Sequence, residues 1–141
     1  VIALRSFGKF YGLAGLRLGF ALGGAGQIGR LKEMAGPWPV SGPAITIGCA
    51  ALNDSAWHGE TRARLSADAA RLDTLAAAAG LGFVGGTPLF RLYEVGDAAA
   101  WQDRLARAHV WSRTFPYARG WLRLGLPGDD EQWTRLEAAL G

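Results

Sequence analysis

The sequence predicts an α/β chain in which the end of one sheet is followed by a small α+β domain, an antiparallel sheet with helices on one face. Three observations support this prediction. Two short apolar runs near the start flank a glycine-rich turn, as buried strands joined by a loop do. The middle of the chain has apolar residues at helical spacing. The last third alternates strand, strand, helix, strand, strand, helix.

The composition is that of a globular protein with a real core. Of 141 residues, 50% are hydrophobic and 19% are charged. The net charge is +3 and the arginines are scattered, so we expect no nucleic-acid partner. No apolar run reaches the ~18 residues of a membrane span, so we expect no membrane partner.

Cysteine and histidine are too few for a disulfide framework or a metal site. The single cysteine, Cys49, cannot form an intrachain disulfide and fits a reducing compartment, so we expect a cytoplasmic protein. His58 and His109 lie far apart in the sequence and offer no close pair of ligands. We therefore expect no metal.

The first two predicted elements are apolar strands over residues 1–4 and 18–22, and the turn between them carries Ser6, Lys9 and Arg17. A hydroxyl and a planar guanidinium that converge form an anion site, for which phosphate is a natural ligand. Aromatic neighbours are expected to desolvate Lys9 partly, which disfavours the ammonium and frees the amine as a nucleophile. An amine nucleophile beside a phosphate site suggests pyridoxal phosphate.

This turn resembles the cofactor-lysine motif of fold-type I pyridoxal-phosphate enzymes, the class I/II aminotransferase superfamily. The motif S-x-x-K followed by G-L-x-G-L-R-x-G is matched without a gap. The resemblance implies that Lys9 is the catalytic, cofactor-bonding lysine and that Ser6 and Arg17 bind the cofactor phosphate.

The same resemblance predicts that the chain is the C-terminal part of a larger pyridoxal-phosphate-dependent transferase fold. Residues 1–36 would end the large cofactor domain, residues 37–79 would cross to the small domain, and residues 80–141 would form that small domain. The family also implies a homodimer for the full-length protein. The isolated chain is expected to be inactive, because half of the cofactor contacts would be missing.

Two helices are predicted next, over residues 27–35 and, as a buried helix, over 44–53. The glycines that precede and enter the first helix mimic a dinucleotide-binding fingerprint. No acidic residue follows about 20 positions later, and no second βαβ unit follows either. A glycine turn that enters a helix explains them, and a dinucleotide-binding module is a distant alternative.

Three prolines, Pro37, Pro39 and Pro43, break the chain between these helices, and the first two lie in the segment Pro-Trp-Pro-Val-Ser, residues 37–41. Within the superfamily this segment resembles threonine-phosphate decarboxylases more than histidinol-phosphate aminotransferases, where Tyr and Asn are usual. Trp38 is a candidate wall of the substrate pocket and equally a residue that packs two domains together.

The resemblance therefore implies decarboxylation of L-threonine O-3-phosphate to aminopropanol phosphate in cobalamin biosynthesis, with a small amino-acid phosphate as the ligand. Histidinol-phosphate aminotransferase is the alternative within the superfamily. A truncated structural domain without catalysis is the alternative from another class.

Alternating strands and capped helices are predicted for the rest of the chain. Gly80 should end a long helix over residues 55–79, and Asp97 should cap the next helix. The predicted strands cover residues 81–84, 88–95, 109–113 and 120–126, and helices cover residues 98–108 and 131–140.

Arg123 stands out because it interrupts an apolar strand, where a guanidinium is costly unless it faces water or pairs with an anion. The resemblance implies that its planar fork binds the substrate α-carboxylate. Strand alternation that places Arg123 at the surface is the alternative. Arg113 is a weaker substrate-binding candidate, since an edge-strand position explains it equally well, and the same holds for Arg91.

Overall fold

A computed structural model describes residues 1–141, which divide into two compact units, Val1–His58 and Gly59–Gly141. The division predicted from the sequence, at residues 36 and 79, follows the domains of the family and stays a prediction. No helix combines the length and the apolar character that crossing a membrane requires.

The first unit is built on a short antiparallel pair of strands, β1 (Ala3–Ser6) and β2 (Gly19–Leu22). Helices α1 (Ala25–Ala35) and α2 (Gly42–Asn53) follow. A small core of Phe7, Leu18 and Ala44 holds the turn between the strands against α2.

The predicted burial of α2 is wrong for most of its length. Only Ala44 and Gly48 are buried, whereas Ile45 and Ile47 are 54% and 44% exposed. A Cβ at Gly48 would meet the end of the Leu18 side chain, so a larger residue there would require Leu18 to shift. Because α2 is apolar on every side, its sequence shows no polar face and does not indicate which side packs.

The second unit contains a four-stranded antiparallel sheet in the order β3-β4-β6-β5. Its elements are β3 (Gly82–Thr87), β4 (Phe90–Glu94), α4 (Ala98–Arg107), β5 (Arg113–Phe115), β6 (Ala118–Gly125) and α5 (Asp130–Leu140). Helix α3 (Ser55–Ala78) begins in the first unit and continues into the second.

One face of this sheet forms the core with the helices, which confirms the predicted α+β arrangement. Leu122 and Leu124 of β6 are buried with Leu72 of α3, Leu105 of α4 and Leu136 of α5. Because side chains alternate along a strand, Arg123, between the two buried leucines of β6, lies on the opposite face of the sheet.

The predicted strand over residues 109–113 is wrong, because β5 begins only at Arg113. His109 adopts a left-handed φ of 58°. The Val110 N–H donates to the Leu105 carbonyl at 2.9 Å, closing the end of α4 as Gly80 closes α3. His109 and Val110, which were predicted to begin a strand, therefore end helix α4. The other predicted elements are present, with ends displaced by a few residues.

Asp73 of α3 joins the helix to β4. Its carboxylate accepts hydrogen bonds from Arg91 Nε at 2.9 Å and from the Tyr93 hydroxyl at 2.8 Å, and it forms an ion pair with Arg91. Burial raises the pKa of the Asp73 carboxyl, but the hydrogen bonds from Arg91 and Tyr93 and the Arg91 charge outweigh burial, so its pKa lies below the usual value. Arg91 therefore has a structural partner within its own unit.

Asp73→Asn is expected to lower the free energy of unfolding by about 1–2 kcal/mol at neutral pH, because it removes hydrogen bonds to a charged group. Folding lowers the pKa of this carboxyl. Its contribution is therefore present above the unfolded value of ~4 and is lost as pH falls through the folded value. Urea unfolding at neutral and acidic pH would measure both effects.

The matched control is Asp103→Asn, since Asp103 pairs with Arg107 on an exposed surface of α4. An exposed pair of this kind contributes little, so this variant should unfold like the wild type. Equal destabilisation by the two variants would contradict the role given to Asp73.

Candidate cofactor and substrate sites

The backbone of the turn between β1 and β2 is fixed by hydrogen bonds at both of its ends. The Phe7 N–H donates to the Leu18 carbonyl at 3.1 Å, and the Leu13 N–H donates to the Phe7 carbonyl at 2.9 Å. A tighter turn is closed by the Gly12 N–H, which donates to the Lys9 carbonyl at 3.0 Å. Gly12 has a φ of 68°, which glycine adopts at little cost.

The fold brings Ser6 and Arg17 together in one cavity of about 230 Å³ beneath this turn. Ser6 Oγ accepts a hydrogen bond from the Gly8 N–H at 3.0 Å. Arg17 adopts a left-handed φ of 53° and donates from Nη1 to the Ala14 carbonyl at 3.1 Å. Lys9 does not line this cavity.

The residues of this cavity fit the phosphate of pyridoxal phosphate. A hydroxyl and a guanidinium supply donors, and no carboxylate lines the cavity. Gly19, which also lines the cavity, has no room for a side chain, because a Cβ there would lie 2.8 Å from the Arg5 carbonyl oxygen. The donor set is therefore suited to a compact oxyanion.

The predicted desolvation of Lys9 is not seen, since its side chain is exposed. The three aromatic residues near Lys9 in the sequence pack against other groups. Phe7 is 2% exposed and lies in the core, while Phe10 and Tyr11 pack against Trp57. The neighbouring rings therefore pack on both sides of Lys9 in the sequence, while Lys9 itself is exposed.

Sequence reasoning missed the aromatic residues that contact this turn, Trp57 and His58 at the start of α3. Tyr11 stacks on Trp57 with ring centres 5.7 Å apart and planes at 11°, and it meets His58 edge-on at 5.5 Å. No local pattern links these residues to Lys9, because they lie far along the chain. The one local signal that could have indicated Trp57 is Asp54, whose carboxylate accepts a hydrogen bond from the Trp57 N–H at the start of α3 and so places Trp57 in the first turn of that helix.

The structure places Arg113 and Arg123 directly opposite each other on β5 and β6. Both line a cavity of about 430 Å³ in the second unit. The Arg123 guanidinium lies 4.5 Å from the centre of the Phe90 ring. Like charges on directly opposite residues are unfavourable, and no carboxylate lines this cavity. A bound anion would offset that repulsion.

Three further polar residues line the same cavity and were missed from the sequence: Gln102, Ser112 and Thr114. The Gln102 amide donates to the Ser112 carbonyl at 3.0 Å and so ties α4 to the segment before β5. The Ser112 hydroxyl is buried and has no hydrogen-bond partner.

Trp38 lies in the loop between α1 and α2. Its side chain is 93% exposed and its backbone has a left-handed φ of 59°, which is unusual for a bulky residue. It lines neither of the two cavities described above. Its predicted role in substrate binding stays a prediction.

Comparison with known proteins gives a consistent result. A family model described as "Aminotransferase class I and II" matches residues 1–140. The chain is 45% identical to a threonine-phosphate decarboxylase from Sinorhizobium sp, covering 99% of the chain and 41% of that protein. It is 35% identical to a histidinol-phosphate aminotransferase from Symbiobacterium thermophilum, covering 71% of the chain and 28% of that protein.

A solved structure shows the same fold. The histidinol-phosphate aminotransferase from Sinorhizobium meliloti, in complex with pyridoxal-5'-phosphate, superposes with a TM-score of 0.87 at 26% identity, covering 99% of the chain and 40% of that structure. The chain thus spans about two fifths of the length of the decarboxylase and of this structure.

Proposed function

Because the chain belongs to the aminotransferase class I and II family, we propose that it carries the cofactor lysine and the substrate arginines of a pyridoxal-phosphate-dependent threonine-phosphate decarboxylase. The observation that carries this proposal is the 45% identity over 99% of the chain to a protein of that name. The proposed reaction converts L-threonine O-3-phosphate to aminopropanol phosphate and carbon dioxide, a step of cobalamin biosynthesis. The proposed whole protein is a cytoplasmic homodimer.

The cofactor residues all belong to the turn between β1 and β2. Ser6 and Arg17 would hold the phosphate, because they share a cavity lined with donors and free of carboxylates. Lys9 would supply the amine that holds the cofactor aldehyde. When bound, pyridoxal phosphate supplies an electron sink for negative charge that develops at the substrate Cα. The Lys9 Nζ, on its exposed side chain, is then the group that holds or moves a proton.

The proposed substrate residues are Arg123 and Arg113. L-Threonine O-3-phosphate carries a carboxylate and a phosphate, and the two arginines that line this one cavity would match two anionic groups. Arg123 would bind the carboxylate through both arms of its fork, which fixes the orientation of the bonds at Cα. That orientation decides between loss of the carboxylate and loss of the Cα proton.

Histidinol-phosphate transamination is the second candidate function. It is favoured by the TM-score of 0.87 to an aminotransferase of that name. That substrate carries a phosphate and no carboxylate, so it would engage the two arginines differently. The two candidates therefore differ in product and in the need for an amino acceptor.

The whole protein is expected to release carbon dioxide from L-threonine O-3-phosphate without any 2-oxo acid acceptor. Gas release and mass spectrometry of the amine product would measure this. With histidinol phosphate and a 2-oxo acid, no amino transfer is expected. Transfer in the second assay with none of the first product would establish the aminotransferase instead. Neither product, together with no attachment of pyridoxal phosphate at Lys9, would support a structural domain without catalysis.

A further inference from the structure

We propose that Trp57 is a positioning residue for Lys9, acting through the ring of Tyr11. This inference rests on the proposed function, since it takes Lys9 as the lysine that holds the cofactor. It adds a residue outside the cofactor motif, on another helix, that determines where the Lys9 amine is presented.

The contact is made to the two residues that follow Lys9. Lys9 opens the tight turn closed by the Gly12 N–H, and Phe10 and Tyr11 are its central residues. The Phe10 ring meets Trp57 edge-on at 5.3 Å, and the Tyr11 ring stacks on Trp57 at 5.7 Å. Trp57 therefore contacts both side chains of the turn that determine the direction of Lys9.

Tyr11 stacks on two other rings. The ring of Phe7, which is buried in the core, lies with its centre 4.6 Å from that of Tyr11, and the ring of Trp57 lies at 5.7 Å. Phe7 lies before Lys9 in the chain and Tyr11 lies after it. The stack Phe7–Tyr11–Trp57 thus clamps the backbone on either side of an exposed lysine.

Trp57 is itself fixed by the start of α3. Its backbone N–H donates to Asp54 Oδ1 at 3.0 Å, and the His58 N–H donates to the Asp54 carbonyl at 3.1 Å. The His58 ring makes a further hydrogen bond, from Nε2 to the Ala51 carbonyl at 2.9 Å. A backbone fixed in this way keeps the Trp57 ring against Phe10 and Tyr11, whereas an exposed lysine on an unsupported turn samples many positions.

The chain provides its own reference for a test, because it contains two lysines, Lys9 and Lys32. We would incubate the whole protein with pyridoxal phosphate, reduce it with sodium borohydride and quantify the labelled Lys9 and Lys32 peptides by mass spectrometry. The expected wild-type ratio of labelling favours Lys9 by about 10-fold. In Trp57→Ala the ratio should fall to about 2-fold or less, and Trp57→Phe should restore most of it.

Matched variants separate positioning from loss of fold. Trp57→Leu keeps an apolar side chain and removes the stacked ring, so it should behave like Trp57→Ala while circular dichroism shows a folded chain. Tyr117→Ala removes an exposed aromatic residue of the second unit and should keep the wild-type ratio.

The outcomes distinguish this inference from the proposed function. If the wild type labels Lys9 and Lys32 equally, Lys9 has no preference for the cofactor and the proposed function itself loses its support. If the wild type prefers Lys9 and folded Trp57→Leu keeps that preference, the proposed function stands and the role of Trp57 is overturned.

Discussion

Lys9→Ala is expected to abolish attachment of pyridoxal phosphate and to reduce turnover by the whole protein at least about 10⁴-fold, because one side chain supplies both the amine that holds the cofactor and the proton-transfer group. Lys9→Arg is expected to be equally inactive. An arginine preserves the positive charge but remains protonated and is no nucleophile. Visible absorbance of the lysine-bound cofactor and product formation would measure the two losses.

Lys32→Ala is the control for this prediction, because Lys32 lies on α1 and no role in the site is assigned to it. It should bind the cofactor and turn over like the wild type. A Lys9→Ala variant that kept the cofactor band would show that the Ser6–Lys9–Arg17 segment is only a structural connection between β1 and β2. Partial activity with loss of the band would instead leave Lys9 as an anchor without a role in proton transfer.

The sequence predicts most of this fold because the signals for its elements are local. Asp97 accepts hydrogen bonds from the Ala99 and Ala100 N–H groups, and Asp129 accepts one from the Gln132 N–H, as N-cap residues do. Gly80 has the positive φ expected after a helix. His109 plays the same part at the end of α4. Histidine is an uncommon residue for this position, so the local rule assigned its segment to a strand.

The candidate site is only half predictable, because its remaining features depend on tertiary packing. The cofactor motif places Ser6 and Arg17 in one contiguous segment, and the structure joins them in one cavity. The exposure of Lys9 depends on where the rings of Phe10 and Tyr11 find partners, and Trp57 is remote in sequence.

Strand register is the other feature that the sequence leaves open. A shift of one residue between β5 and β6 would move the side chains of one strand to the other face. The sequence names Arg113 and Arg123 as separate candidates of unequal strength. The observed register makes them cross-strand partners, which places two individually ambiguous arginines in the lining of one cavity.

Arg123→Lys is expected to lower kcat/KM for L-threonine O-3-phosphate by roughly 10–150-fold, the effect of losing about 1.5–3 kcal/mol of hydrogen bonding to a charged group. The charge is retained, so the loss would report the fork geometry that binds both carboxylate oxygens. Steady-state kinetics of the whole protein would measure it. Arg119→Lys is the control, since Arg119 is an exposed residue of the same strand that does not line this cavity.

The cross-strand pairing of Arg123 with Arg113 also predicts how stability responds when Arg123 is replaced. Arg113 and Arg123 are like charges at directly opposite positions of two strands, so Arg123→Gln relieves their repulsion while it also removes the contact with the Phe90 ring. Opposing changes of this kind should leave the melting temperature nearly unchanged although substrate binding is lost. A structural arginine would behave in the opposite way, because its replacement would lower the melting temperature and leave kcat/KM unaltered. Melting curves and kinetics on the same variant therefore separate a substrate residue from a strand residue that faces solvent by alternation alone.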